Sequence, residues 1–373
     1  MRKNLVRILS LIVLGLPTMP VGAQAPLLQP GLAEPTPLGN PAESPPPPSV
    51  QAQASAVQHL GCADSCPCTP QGYWTAGGGL YYMRPSFGSN PAFFTSKGVI
   101  AGTPIANTQQ DFSQRLDVAP LAFVGYTFAN GLGIRGRWFQ YSTDGQASTT
   151  LNGTQLVSPA TGSLAFLTNP GPKSTVDASS NLKLSVYDLE ATYVWGNEGF
   201  SLLIAGGARY ATVRQNYQLN INDPAVPGVA NSFSATHNFS GVGPTLALEV
   251  RKQICNSCFA LYGTARGSVL FGSGNQSSTV SATDTFGDVV AVSGSGQQTL
   301  VLPIGEIELG GEVAYVWGRY RFFGQLGVIG QIWWGAGNAS QGLDLSTGSA
   351  VSGGNSNNNF GLIGGVVRAG INF

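Results

Sequence analysis

The chain has 373 residues, enough for one large domain with a tail or for two ordinary domains. Only 10% of them are charged, against roughly 25% in an ordinary soluble chain, while glycine occurs 51 times and aromatics make up 10%. Lys+Arg and Asp+Glu both number 18, so the formal net charge is zero and no basic excess argues for a nucleic-acid partner.

The first segment reads as an address. Arg2, Lys3 and Arg7 precede a short apolar run from Ile8 to Leu16, and Val21-Gly22-Ala23 supplies small residues for cleavage. This pattern predicts a secretory signal peptide over 1–23. The apolar run falls short of the ~18–20 residues a spanning helix needs, and no later run reaches that length. Residues 24–71 are rich in proline, including Pro45 to Pro48, and predict an extended, disordered linker. Cys62, Cys66 and Cys68 cluster there, and the odd cysteine of the three is available to another chain. Export places all five cysteines in a disulfide-permissive compartment. Neither cluster alone supplies the four ligands of a zinc site.

From Gly72 the pattern becomes period two. Residues 72–84 are the first candidate strand. Residues 116–128 follow, and Asn130-Gly131 is a tight-turn signal. Beyond it Leu132, Ile134 and Trp138 share one face, with Arg135 and Arg137 on the other. In 185–195 Tyr187, Leu189, Tyr193 and Trp195 oppose Asp188 and Glu190. Leu202, Ile204 and Tyr210 oppose Arg209. Leu246, Leu248 and Val250 oppose Glu249 and Arg251. Cys255 and Cys258 flank the next turn, where a local disulfide fits better than a redox centre, because no βαβ context surrounds them. Val269 and Phe271 oppose Arg266. Ile307, Leu309 and Val313 oppose Glu306, Glu308 and Glu312. Tyr320, Phe322 and Leu326 oppose Arg319, Arg321 and Gln325. In the last stretch, Ile363, Val367 and Ile371 oppose Arg368 and Asn372. Short turns are expected near 130, 197, 254 and 318. Long Ser/Thr/Asn-rich loops are expected over 85–112, 144–181, 215–236, 272–299 and 337–358.

Without a spanning helix, only a closed barrel satisfies every backbone N–H and C=O inside lipid. The expected fold is therefore all-β: an antiparallel up-and-down transmembrane barrel over 72–373, with about ten strands (roughly 8–12), charges inside and aliphatic and aromatic residues outside. A soluble sandwich also alternates faces, but few of this chain's charges fall on the apolar faces, and those faces carry Tyr, Trp and Phe near strand ends. A terminal strand ending at Phe373 matches the closing pattern that barrel assembly machinery reads.

Gly241-Val-Gly-Pro-Thr-Leu-Ala-Leu-Glu249 with Leu261-Tyr-Gly-Thr-Ala-Arg266 to Gly272 resembles the Legionella-type major outer membrane protein family of pore-forming barrels. Tyr187-Asp-Leu-Glu190, Gly206 to Ala211 and Leu80-Tyr-Tyr-Met-Arg-Pro85 are similar to it as well. The resemblance covers roughly 72–373 and implies an outer-membrane pore. The expected partners are outer-membrane lipid and small hydrophilic solutes. No cofactor is expected.

The residues expected to line the lumen are Arg135, Arg137, Asp188, Glu190, Arg209, Glu249, Arg251, Arg266, Glu306, Glu308, Glu312, Arg319, Arg321 and Arg368. Two readings stand side by side: a polar constriction that selects solutes, or a salt-bridged plug that holds a narrow barrel together. A non-conducting surface barrel that uses its long loops for adhesion is the competing function. His59 lies in the linker and His237 has no nucleophile motif beside it, so an outer-membrane hydrolase is the least expected of the three readings.

Overall fold

A computed structural model describes residues 72–88, 90–96, 99–100, 103–104, 107–151, 156–159, 173–197, 199–224, 230–254, 257–283, 289–341 and 359–373. The signal-peptide and linker segments lie outside these residues, with His59, Cys62, Cys66 and Cys68. So does Cys255, and with it the expected Cys255–Cys258 pairing.

The strands are β1 (Tyr73–Phe87), β2 (Pro91–Ser96), β3 (Val99–Ile100), β4 (Thr103–Pro104), β5 (Asn107–Asp111), β6 (Asp117–Thr127), β7 (Leu132–Thr150), β8 (Leu156–Pro159), β9 (Thr175–Asn197), β10 (Phe200–Asn222), β11 (Ala230–Gln253), β12 (Phe259–Thr283), β13 (Val289–Trp317), β14 (Tyr320–Trp333) and β15 (Phe360–Asn372). Ten of them close an antiparallel barrel in the order β1-β15-β14-β13-β12-β11-β10-β9-β7-β6. Among the described residues no helix is long and apolar enough to cross a membrane. The crossing is made by strands. At the seam Trp74 and Phe373 exchange two backbone hydrogen bonds, at 2.9 and 3.0 Å.

The short turns fall where the sequence puts them. Gly131, Gly199 and Gly318 all have positive φ, a conformation that a side chain disfavours. The Asn130 side chain accepts the Leu132 N–H at 3.1 Å and fixes the first of these turns.

The other end differs from expectation. Much of 144–181, 215–236 and 272–299 is strand, not loop: β7 runs to Thr150, β9 begins at Thr175, and only 223–229 and 284–288 separate β10 from β11 and β12 from β13. β10 has 23 residues, more than twice the ~9–11 that a tilted membrane strand needs. Partway up, the apolar face changes sides. Low in β10, Ile204, Ala208 and Tyr210 are exposed outside and Arg209 is buried inside. From Ala211 on, Val213, Tyr217, Leu219 and Ile221 are buried inside, and Arg214, Asn216 and Gln218 are exposed outside. The switch follows one paired row. Tyr187, Tyr210, Val242, Phe271 and Val301 lie side by side across β9 to β13, and the next outward-facing row is Ser185, Thr212, Ser240, Ser273 and Thr299. Below this boundary the outer surface suits hydrocarbon; above it, water. Aromatic residues mark both limits of the lower zone: Trp74, Trp195 and Trp317 near the short turns, and Tyr82, Tyr187 and Tyr210 at the boundary.

The tall end is filled and capped. A three-stranded sheet, β5-β2-β8, brings Phe93 and Val157 against the inner wall residues Val176, Tyr217, Leu219 and Phe233. Phe112 packs edge-on against Tyr217, with centroids 6.0 Å apart. The rim is uneven. β9 to β13 are tall, whereas β6 pairs with β7 only over Leu121–Thr127 against Gly133–Phe139.

Close strand packing depends on glycine at specific points. A Cβ on Gly364 would lie 1.8 Å from the Tyr82 carbonyl oxygen on the paired strand. Gly364→Val should destabilise the barrel by at least about 1–3 kcal/mol and reduce the heat-modifiable folded band on SDS gels. Gly330→Ala, where a Cβ meets nothing within 4 Å, should leave that band unchanged.

Candidate functional site: an ion-paired lumen

Alternation sends every second residue of the membrane-level strands inward. Seven arginines and six carboxylates are paired there, leaving a surplus of one positive charge. Several partners are set by strand register. Arg209 stands opposite Asp188, Arg135 opposite Glu190, and Arg266 opposite Glu306.

The pairs join into two networks. In the first, Arg209 grips Asp188 with two parallel bonds, at 2.6 and 3.0 Å. Arg135 donates to Glu190 at 2.8 Å and to Glu249 at 2.7 Å. Arg266 donates to Glu190 and lies 3.6 Å from Asp188 and 3.9 Å from Glu306. Arg137 reaches across the lumen to Glu306 and to the Tyr81 hydroxyl, both at 3.4 Å. In the second, Glu312 collects Arg251 at 2.8 Å, Arg321, and the Gln325 amide at 2.7 Å. Arg368 donates to Gln325 and Glu308. Arg368 also lies over the Tyr262 ring, 5.3 Å from its centroid. Guanidinium suits this role because its planar fork serves two oxygens at once.

Burial is graded. Arg266 and Glu190 side chains are 0% exposed, whereas Glu249 keeps 28% and Arg251 18%. The more accessible members thus lie toward the short turns and the least accessible deeper in the barrel. Beyond these stands an apolar layer that includes Phe139, Leu184, Val213, Phe239, Trp333 and Phe360. Trp333 and Phe360 stack with centroids 5.7 Å apart.

Above that layer the 335–341 segment folds into the tall end. Gln215 donates to the Gly337 carbonyl at 3.2 Å and accepts the Ala339 N–H at 3.0 Å. Asn338 donates to Asn90 at 2.9 Å. His237 is buried beneath this segment, hydrogen-bonded to the Ala336 backbone, and leaves no room for a Cβ on Gly337. Sequence reasoning treated this Gly/Asn/Ala stretch as part of a loop; nothing in its composition marks an insertion. It also left out Tyr81, and it placed Gln325 on the inner face without giving it a partner.

Of the fourteen charges expected in the lumen, Arg319 is a correction. It occupies the Gly318-Arg319 turn, exposed, with its guanidinium 5.2 Å from the Tyr320 ring centroid. Alternation assigned it to the inner face, but the strand ends before it. Among the described residues no group of three His, Cys, Asp or Glu side chains is placed to hold a metal ion.

A closed antiparallel barrel with a lipid-suited belt and a charged interior defines an outer-membrane β-barrel protein. More particularly, the chain belongs to the family of the Legionella pneumophila major outer membrane protein precursor, which matches residues 65–373. No curated protein sequence matches it. Similar solved structures include the outer membrane protease OmpT from Escherichia coli, at 10% identity and a TM-score of 0.42, covering 83% of this chain and 99% of that one. The Pseudomonas putida toluene transporter TodX is similar at 7% identity and a TM-score of 0.29, covering 82% and 91%. A Pseudomonas aeruginosa FadL homologue is similar at 7% identity and a TM-score of 0.23, covering 81% and 90%. These likenesses carry nothing about activity.

Arg266 is the fully buried cation shared by Glu190, Asp188 and Glu306, which without it keep only Arg135, Arg209 and Arg137 as partners. Arg266→Leu should cost about 3–5 kcal/mol, read from urea unfolding in detergent. Adding Glu190→Gln in the same chain should recover part of that loss. If the single variant unfolds like the parent chain, the network contributes nothing to stability.

Proposed function

We propose that this protein is a structural outer-membrane barrel that conducts nothing in its resting state and displays a tall outer wall and cap at the cell surface. The observation that carries this reading is the filled lumen. A buried ion-pair layer is followed by an apolar layer, then by the inserted 335–341 segment and the β5-β2-β8 cap. A narrow barrel is readily closed by its own side chains, and buried charges held in mutual pairs are poor ligands for a passing ion.

A second reading has its own support. The more accessible charges toward the short turns, Glu249 and Arg251 among them, suit a pore for passive diffusion of small hydrophilic solutes or ions, with the apolar layer as a dewetted gate. Enzyme activity is the least supported reading. His237 meets the backbone of Ala336 and Gly337 rather than a nucleophile. Export through a signal peptide over 1–23 and recognition of Phe373 by assembly machinery belong to the same proposal.

Planar-bilayer recording of the purified, refolded chain separates the first two readings. The structural reading expects current at background. Discrete conductance steps from the unaltered chain would overturn it and favour the pore, and Glu249→Arg should then move the cation-to-anion permeability ratio toward anions.

A further inference from the structure

The outer wall just above the lipid boundary carries an arrangement that the lumen does not explain. Lys183 on β9 and Arg214 on β10 are direct cross-strand partners, both outward and both exposed. Side chains directly opposite each other start about 4.5–5.5 Å apart, and like charges so placed repel. Among the described residues no carboxylate lies within 4.0 Å of either one. The nearest acid by register, Asp144, accepts from the Asn181 amide at 2.7 Å instead. Two unneutralised cations held side by side form a seat for an anion.

The surroundings narrow the anion. Lys183 and Arg214 continue along their paired row into Asn238, Asn275 and Gln297, and the next row beyond is Asn181, Asn216, Thr236, Ser277 and Ser295. The result is a groove of about 550 Å³ whose lining includes both cations, Asn216, Asn238 and Asn275, with Tyr210 at its lower edge. A second, polar groove shares Asn238 and Asn275 and extends it toward Gln297. Amides and hydroxyls in this number suit the hydroxyls of a sugar. Immediately below, Tyr187, Tyr210, Val242 and Phe271 form the top of the lipid-suited belt. Reading upward, the wall offers an apolar surface, then a row of hydroxyls, then two cations with a hydrogen-bonding ledge beside them on the same row.

We propose that this wall binds a phosphorylated glycolipid of the outer leaflet, with acyl chains against the Tyr210–Phe271 belt, a phosphate between Lys183 and Arg214, and sugar hydroxyls on the Asn238–Asn275 ledge. The ligand is one molecule that carries all three chemistries, with its phosphate beside its sugar as the cations lie beside the ledge. This inference rests on the membrane boundary and not on whether the lumen conducts.

The full chain, refolded in detergent, is titrated with three probes: bis-phosphorylated lipid A, its dephosphorylated form, and inorganic phosphate. Bound lipid is counted by native mass spectrometry. The expected result is tight binding of the phosphorylated form, with affinity reduced about thirtyfold in the Lys183→Ala/Arg214→Ala double variant. Lys252→Ala, at the short-turn end, should bind as the unaltered chain does. Three results each overturn the proposal: equal binding by the double variant, equal binding of the dephosphorylated lipid, or competition by millimolar inorganic phosphate that reveals a free-phosphate site. Both substituted side chains are exposed, and the heat-modifiable band checks that the variants fold.

Discussion

The molecule is governed by a change of solvent along the length of each strand. A backbone crossing lipid must pair all its N–H and C=O groups, which requires a closed sheet. That sheet does not stop where the lipid stops. β9 to β13 continue upward in the same register, so the pairing persists while the outside changes from hydrocarbon to water. The side chains answer by exchanging faces at the Tyr187–Val301 row. Below it the protein is inside-out, with charges within. Above it the protein has the ordinary arrangement of a soluble barrel, with Val213, Tyr217 and Leu219 as a core. One continuous wall thus serves two environments.

The charged interior follows from the lower zone. Apolar residues are needed outside, so the inner face is free to be polar, and the narrow interior of a ten-stranded barrel then brings those groups into mutual contact. Several charged residues stand opposite a group of opposite sign on the neighbouring strand, so register, turns and ion pairs support one another. A slip of one residue would send Arg209 into lipid and Tyr210 inside. Buried ion pairs add little net stability compared with a well-packed apolar core, but breaking one is costly. Here they also penalise the wrong register.

The lower zone was legible from the residues because its alternation is strong: Leu189 against Glu190, Leu248 against Glu249, Ile307 against Glu308. Strand number, short turns and most of the lumen charges follow from that pattern. The upper zone was not legible as strand. Runs such as 212–220 carry Thr, Arg, Asn and Gln outside, and this polar density resembles loop composition. The inner Val213, Tyr217 and Leu219 still alternate, yet on the face opposite to the one that alternates below. A search for a single amphipathic face loses them at the crossover. Arg319 failed for another reason: periodicity assigns a face to every residue, including one that belongs to a turn. The inserted 335–341 segment depends on contacts with Gln215 and Asn90 more than a hundred residues away, which no local pattern reveals.

The uneven rim has a mechanical meaning. Between β12 and β13 the ladder runs from Phe259 to Thr283, whereas β6 meets β7 over only Leu121–Thr127. Lateral tension in the membrane loads every ladder of a closed ring in series, and a ring in series parts at its shortest link. The tear line of this barrel is therefore the β6–β7 junction and not the seam where the chain's last strand closes on its first.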